Sequence, residues 1–225
     1  MRLLKNTVPN HDKIKNIIFD FGGVICDLDI SRTEKKFKEF GPLKPTANIS
    51  KEDSSLRFEI LVGQFEKGAI TSGEFREIIK HNYEKSPTDA AIDETWNALL
   101  VGIPEQRIRL LEDIRNHYRI FLLSNSNEIH YKHYLLDFKE KSGHHEFNDL
   151  FEKTYFSFQI HLSKPGKEIF EFVLKDSRLN PAQTLFIDDT IKHIETARDL
   201  GINGYHLNIK NGERVLDLFE DKPFS

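Results

Sequence analysis

The chain has 225 residues, 38% hydrophobic and 30% charged, with a net charge of −4. That balance excludes a disordered chain and gives no reason to expect a nucleic-acid partner. The single cysteine, Cys26, excludes an internal disulfide framework and fits a reducing compartment, so the expected location is cytoplasmic.

The opening "MRLLKNTVPNHDK" (1–13) has no apolar segment of the kind a secretory signal needs, and is expected to be a polar tail. No apolar run anywhere approaches the ~18 residues of a membrane span, so no membrane partner is expected. The first strand-like run is "NIIFDF" (16–21), where Ile17, Ile18 and Phe19 drive into Asp20, with Gly22 and Gly23 just beyond. A carboxylate at the end of a buried strand, beside a glycine turn, is placed for chemistry.

The stretch 31–102 has no convincing strand. It reads as helices, in "SSLRFEILVGQFEKG", "TSGEFREIIKHNYEK" and "TDAAIDETWNALL", the second capped at Thr71 or Ser72. Trp96 and the phenylalanines of this stretch are expected to form its apolar interior.

Strands then alternate with helices. A helix over 104–117 begins near Pro104 and carries Ile108, Leu111 and Ile114 at helical spacing. "RIFLLS" (119–124) is a strand, "KEKSGHHEFND" (139–149) a polar loop with solvated histidines, and "TYFSF" (154–158) a strand. A helix over 166–176, the strand "TLFIDD" (184–189), a helix over 190–200 closed by Gly201, and a weaker strand "GYHLNI" (204–209) complete the chain. The clearest strands lack in/out alternation, as expected of strands covered on both faces. The fold class is therefore α/β, a Rossmann-like parallel sheet with right-handed crossovers and an inserted helical module.

Ligands of such sheets bind beyond the carboxyl ends of the strands. Asp20, Ser124, Lys164 (in "HLSKPGKEIF") and the pair Asp188-Asp189 all sit at or just past such ends. Any one of them alone is accounted for as a turn or helix cap. A nucleophile, a hydroxyl, a cation and paired acids at one edge form a site. Asp188 and Asp189 could cap the next helix. Carboxylates crowded into one crevice resist ionising unless a cation neutralises them, and a hard divalent ion, Mg²⁺ foremost, resolves that conflict.

With these residues in place, the sequence resembles the haloacid dehalogenase (HAD) superfamily. "FDFGGV", "LLSNSN", "SKP" and "FIDD" match its four motifs in order, and the resemblance covers about residues 14 to 210. It implies a HAD-like core over 14–30 and 103–225, with a helical type-one cap over 31–102. It further implies phosphoryl transfer through an aspartyl-phosphate, with a small-molecule phosphate ester as substrate. Asp20 would be the nucleophile, and Mg²⁺ would be held by Asp20, the Gly22 carbonyl and Asp188, with Asp189 on metal-ligated water. Ser124 and the Asn125 N–H would bind phosphoryl oxygens, Lys164 would neutralise charge, and the Gly22-Gly23 turn would let backbone N–H groups approach the phosphate.

The chain departs from the family pattern in two places. Most phosphatases of the superfamily carry a second Asp, the general acid, two positions after the nucleophile, where this chain has Gly22. The sequence resembles a branch with the same glycine that includes sugar-1-phosphate phosphatases and carries "LSN[ST]N" and "FxxG" cap features. Asp27 and Asp29 are candidates for the missing acid, or else serve in the loop and as a helix cap. Positions four and five after Asp188, where many members have an acid or amide, are Lys192 and His193, with Lys192 expected to point outward. Cys26 is either a thiol near the site or a small buried residue. Two other functions stay open on this pattern, a phosphate-binding pseudoenzyme and a metal-independent dehalogenase, which also lacks the second Asp.

Overall fold

The computed structural model describes residues 2–3, 11–42, 44 and 51–220, so most of the expected N-terminal tail lies outside the described residues. In chain order, β1 (Arg2–Leu3), β2 (Asn16–Phe19) and β3 (Asp27–Leu28) precede four helices, α1 (Ile30–Glu39), α2 (Lys51–Glu66), α3 (Ser72–Asn82) and α4 (Asp89–Asn97). Next come β4 (Leu100–Gly102), α5 (Glu105–Ile114), β5 (Arg119–Ser124), α6 (Glu128–Ser142) and β6 (Lys153–Phe156). The chain continues through α7 (Ser157–Ile160), α8 (Lys167–Asp176), β7 (Thr184–Asp188), α9 (Ile191–Asp199), β8 (Asn203–His206) and β9 (Phe219–Glu220). None of the described helices is long and apolar enough to cross a membrane.

The main sheet has the order β6-β5-β2-β7-β8, with every neighbouring pair parallel. This is the expected α/β core. Its central strand shows why alternation is missing from the sequence. Ile17 and Phe19 pack in one apolar cluster with Ile108 and Leu111 of α5 and Tyr134 of α6. Ile18 packs on the other face with Ile169 and Phe170 of α8 and Ile194 of α9. Helices cover both faces, so successive residues are all buried, each contributing about 1.5–3 kcal/mol.

The helices α1 to α4 fill the space between β3 and β4. Leu61, Phe65, Phe75, Ile79, Ile92 and Trp96 form an apolar cluster there, joined by Ile129 of α6. Trp96 is 5% exposed and stacks on His130, so it is interior as expected. Helix α3 is capped by Thr71, whose hydroxyl accepts from the Glu74 N–H while the Glu74 carboxylate accepts from the Thr71 N–H.

Several expectations need correction. Helix α6 is absent from the sequence reading, and its last residues, Lys139–Ser142, occupy what was expected to be loop. Its buried positions Ile129, His130, Tyr134 and Phe138 carry a His and a Tyr, which blur the apolar stripe; the Asn127 cap and the left-handed Gly143 are the signals that mark its ends. The stretch 31–102 contains β4, which pairs antiparallel with β3; two- and three-residue strands are too short to show a period. The strand expected over 154–158 stops at Phe156, where α7 begins. Pro104 is the N-cap of α5 rather than its first residue, and β1 pairs with β9 within the expected tail.

Candidate active site

The strand order sets the site. Strand β2 lies between β5 and β7, and Phe19 is level with Leu122 on one side and Ile187 on the other. Asp20, Ser124 and Asp188 therefore emerge from three adjacent strands at one edge, where open α/β sheets bind ligands. The Asp20 N–H donates to the Ile187 carbonyl at 2.9 Å, locking the residue to its neighbour.

Lys164 reaches this edge from the segment before α8. Its ammonium lies 2.7 Å from Asp20 Oδ1 and 2.7 Å from Asp188 Oδ2, and donates to the Leu123 carbonyl at 3.0 Å. Those three partners use all three ammonium protons. The residue is 3% exposed, so this cation bridges two buried carboxylates. Asn125 fixes the lysine's backbone: its amide donates to the Lys164 carbonyl at 2.8 Å and accepts from the Lys164 N–H at 2.9 Å. Among the described residues Ser124 Oγ donates only to the Asn125 carbonyl, at 3.3 Å, a weak bond that leaves the hydroxyl easy to re-aim.

Asp20 Oδ1 also accepts from the Phe21 N–H at 2.7 Å, which leaves Oδ2 without a protein donor among the described residues. Asp188 is fully buried and accepts from the Thr190 N–H at 2.8 Å. His193 Nδ1 lies 3.0 Å from both its oxygens. Asp20, Asp188 and Asp189 can each offer an oxygen, all within 4.8 Å of one another.

The electrostatics follow from this crowding. Burial, together with the nearby Asp188 charge, pushes Asp20 up to about 8, against the pull of Lys164. Burial also opposes ionisation of Asp188, but Lys164 and His193 outweigh it and hold this carboxyl low. Lys164 suffers the same burial, yet the two carboxylates keep it charged and above the usual lysine range. Burial and Asp188 raise Asp189. Three acids against one ammonium are left short of positive charge, and every donor is a hard oxygen, so the residues present fit Mg²⁺.

A model of the haloacid dehalogenase-like hydrolase family matches residues 14–201, well over half of the chain. The chain belongs to this family. A D-ribitol-5-phosphate phosphatase of Bacteroides thetaiotaomicron is 29% identical over 192 residues, spanning 85% of this chain and 91% of the relative. A HAD-family enzyme of the same organism, solved with magnesium and inorganic phosphate, superimposes with a TM-score of 0.80 at 36% identity, covering 92% of this chain and 100% of that one. A HAD-like hydrolase from Porphyromonas gingivalis gives a TM-score of 0.72 at 30% identity, covering 86% and 91%.

The turn that follows Asp20 is closely packed. Gly23 has φ +73°, and a Cβ on it would meet Asp189 Oδ2 at 2.5 Å. Glycine therefore serves both the left-handed backbone and the close approach of an acid. Gly23→Ala is expected to cost about 1–2 kcal/mol from the backbone alone and to lower turnover by displacing Asp189. Urea denaturation beside a turnover assay checks this; unchanged stability and turnover would contradict it. At Gly22, a Cβ would meet Leu28 Cδ1 at 2.8 Å, so a side chain at the family's acid position would displace Leu28.

Neither candidate for the missing acid is free for that work. Asp27 pairs with Arg107 at 2.7 Å on strand β3. Asp29 caps α1, accepting from the Ser31 N–H at 3.1 Å and from its hydroxyl at 2.6 Å. The hydrogen bonds from Ser31 hold Asp29 below the usual carboxylate range, the wrong direction for a proton donor. Lys192 is exposed, as expected, while His193 turns inward onto Asp188, a contact the sequence reading missed. Cys26 is fully buried, and burial pushes its thiol up to about 12, which makes it a packing residue.

Proposed function

We propose that the chain is an Mg²⁺-dependent phosphatase that hydrolyses a small phosphate monoester, of sugar or polyol type, through an aspartyl-phosphate on Asp20. The observation that carries this reading is the buried Asp20–Lys164–Asp188 bridge with Asp189 beside it. Pure phosphate binding has no need of a carboxylate at this strand end, since a carboxylate repels the ligand. A nucleophile does need one.

Asp20, the Gly22 carbonyl, Asp188 and Asp189 would hold the ion. Bound there, Mg²⁺ would offset the repulsion between a carboxylate and a phosphate dianion and the charge that builds as the ester bond breaks. The chain's own residues do the rest. Asp20 Oδ2, the oxygen without a protein donor, attacks phosphorus. The Ser124 hydroxyl and the Asn125 N–H donate to phosphoryl oxygens. Lys164, with its protons spent on Asp20, Asp188 and Leu123, orients and neutralises the carboxylates from behind the phosphate. The helical module over 31–102 serves as the cap that excludes water and selects the ester. The polyol or sugar class is supported by the relative that acts on D-ribitol 5-phosphate, and the metal by the neighbour solved with magnesium and phosphate.

The test is hydrolysis of p-nitrophenyl phosphate in Mg²⁺ and in EDTA. Its phenolate leaves without protonation, so the absent acid at Gly22 cannot mask a working nucleophile. Turnover in Mg²⁺ that EDTA removes and added Mg²⁺ restores is expected. Turnover equal in both conditions would remove the metal from the reaction, and none in either would bring the pseudoenzyme reading forward.

A further inference from the structure

A phosphatase acting on a sugar or polyol ester must expel an alkoxide, a poor leaving group that needs a proton as it departs. Gly22 has no side chain to give one, Asp27 is paired with Arg107, and Asp29 caps a helix. The donor has to come from elsewhere.

Glu66 is the last residue of α2. Its backbone is pinned, through Ser157, to the loop that follows Ser124. The Ser157 hydroxyl donates to the Glu66 carbonyl at 2.5 Å and accepts from the Ser126 N–H at 2.9 Å, two residues beyond Ser124. The turn that follows is docked just as closely. Gly68 has φ +64°, and a Cβ on it would meet the Phe158 carbonyl at 2.3 Å, while His161 Nδ1 lies 3.0 Å from the Lys67 carbonyl. So the end of α2 is held against α7, beside the strand end that carries Ser124 and Asn125. The Glu66 side chain is part-buried, and among the described residues no hydrogen bond or ion pair engages its carboxyl. The positive charge of Lys164, the cation at the centre of the site, pulls the Glu66 carboxyl down against the larger effect of burial.

We propose that the Glu66 carboxyl is the proton donor to the departing ester oxygen, reaching in from the helical module to do what Gly22 cannot. The assignment rests on the phosphatase reading above. As Asp20 Oδ2 bonds to phosphorus, the bond from phosphorus to the ester oxygen breaks, and its electron pair stays on that oxygen. The oxygen takes the Glu66 proton and leaves as a neutral alcohol. Glu66, now a carboxylate, accepts a proton from the water whose oxygen then attacks the phosphorus of the aspartyl-phosphate. The bond to Asp20 breaks, inorganic phosphate forms, and both carboxyl groups return to their starting states.

The environment suits the task. Burial pushes Glu66 up to about 7, with Lys164 pulling the other way, and a phosphate dianion in the site adds negative charge that favours the protonated form. An acid poised near the working pH is the efficient kind.

The experiment compares kcat/KM for p-nitrophenyl phosphate and for D-ribitol 5-phosphate in wild type, Glu66→Gln and Glu66→Asp, all with Mg²⁺. In Glu66→Gln the alkyl ester is expected to lose about 10²–10⁴-fold and the aryl ester far less, so the alkyl-to-aryl ratio collapses. Glu66→Asp still has a proton to give and is expected to keep more of that ratio. Gln matches a protonated Glu in shape, and the thermal midpoint reads its folding independently. Equal losses on both esters, or a loss confined to KM, would overturn the proton-donor assignment and leave Glu66 a substrate-holding residue. A ratio lower in Glu66→Asp than in Glu66→Gln would overturn it as well. Wild-type turnover of neither ester would overturn the phosphatase reading, and the assignment with it.

Discussion

Asp20→Asn is expected to lower turnover of p-nitrophenyl phosphate by on the order of 10⁴-fold or more, the scale on which removing a nucleophile acts. The fold should survive. Asparagine keeps the shape of the side chain, and its carbonyl oxygen can still accept from the Phe21 N–H and from Lys164, the two partners of Asp20 Oδ1. The substitution also removes one of three carboxylates crowded within 4.8 Å, the crowding that burial and Asp188 turn into resistance to ionisation at Asp20. In EDTA the thermal midpoint of Asp20→Asn should therefore match or exceed that of wild type, and added Mg²⁺ should raise it less than it raises wild type, because ligand stabilisation scales with affinity. The two readouts separate chemistry from folding. A dead variant with an intact midpoint and a reduced Mg²⁺ response is the expected pattern. Residual turnover within ten-fold of wild type would remove Asp20 as nucleophile.

The main chemical positions were legible in the sequence because strand ends are legible. A short apolar run that stops on Asp20, Ser124 or Asp188 marks both the strand and the residue delivered at its end, and the parallel order carries them to one edge. Lys164 follows a strand too, although α7 intervenes between Phe156 and its segment. What sequence could not show depends on angles between elements. His193 looked like a departure from the family pattern, yet the direction in which α9 leaves β7 turns it onto both oxygens of Asp188. Glu66 reads in the sequence as one more charge on a helix. Its meaning comes from contacts across more than ninety residues of chain, through Ser157 to the loop after β5. Asp27 and Asp29 carried two readings, and the structure favours the structural one. They are near the nucleophile in sequence, but the β3–β4 pair and the start of α1 carry them into structural work.

Lys164→Met is expected to damage both stability and activity, and that coupling distinguishes it from Asp20→Asn. Methionine fills a similar volume, so the loss is electrostatic rather than a cavity. The buried ammonium holds Asp20 and Asp188, each at 2.7 Å, and the Leu123 carbonyl at 3.0 Å. Without it, two carboxylates with little access to water face each other unpaired. Removing one partner of a buried ion pair typically costs about 3–5 kcal/mol, and here one cation serves two anions. Urea denaturation in EDTA should show a loss of at least that order. With Mg²⁺ present the deficit should shrink, because the ion brings positive charge to the same acids. Turnover should stay low even then, since Lys164 also fixes the orientation of Asp20 Oδ1 and so of the attacking oxygen beside it. Stability restored by Mg²⁺ without activity would separate the lysine's electrostatic contribution to the fold from its placement of the nucleophile. Stability in EDTA equal to that of wild type would contradict the assignment of Lys164 as the cation holding these acids together, and near-normal turnover would remove it from the mechanism.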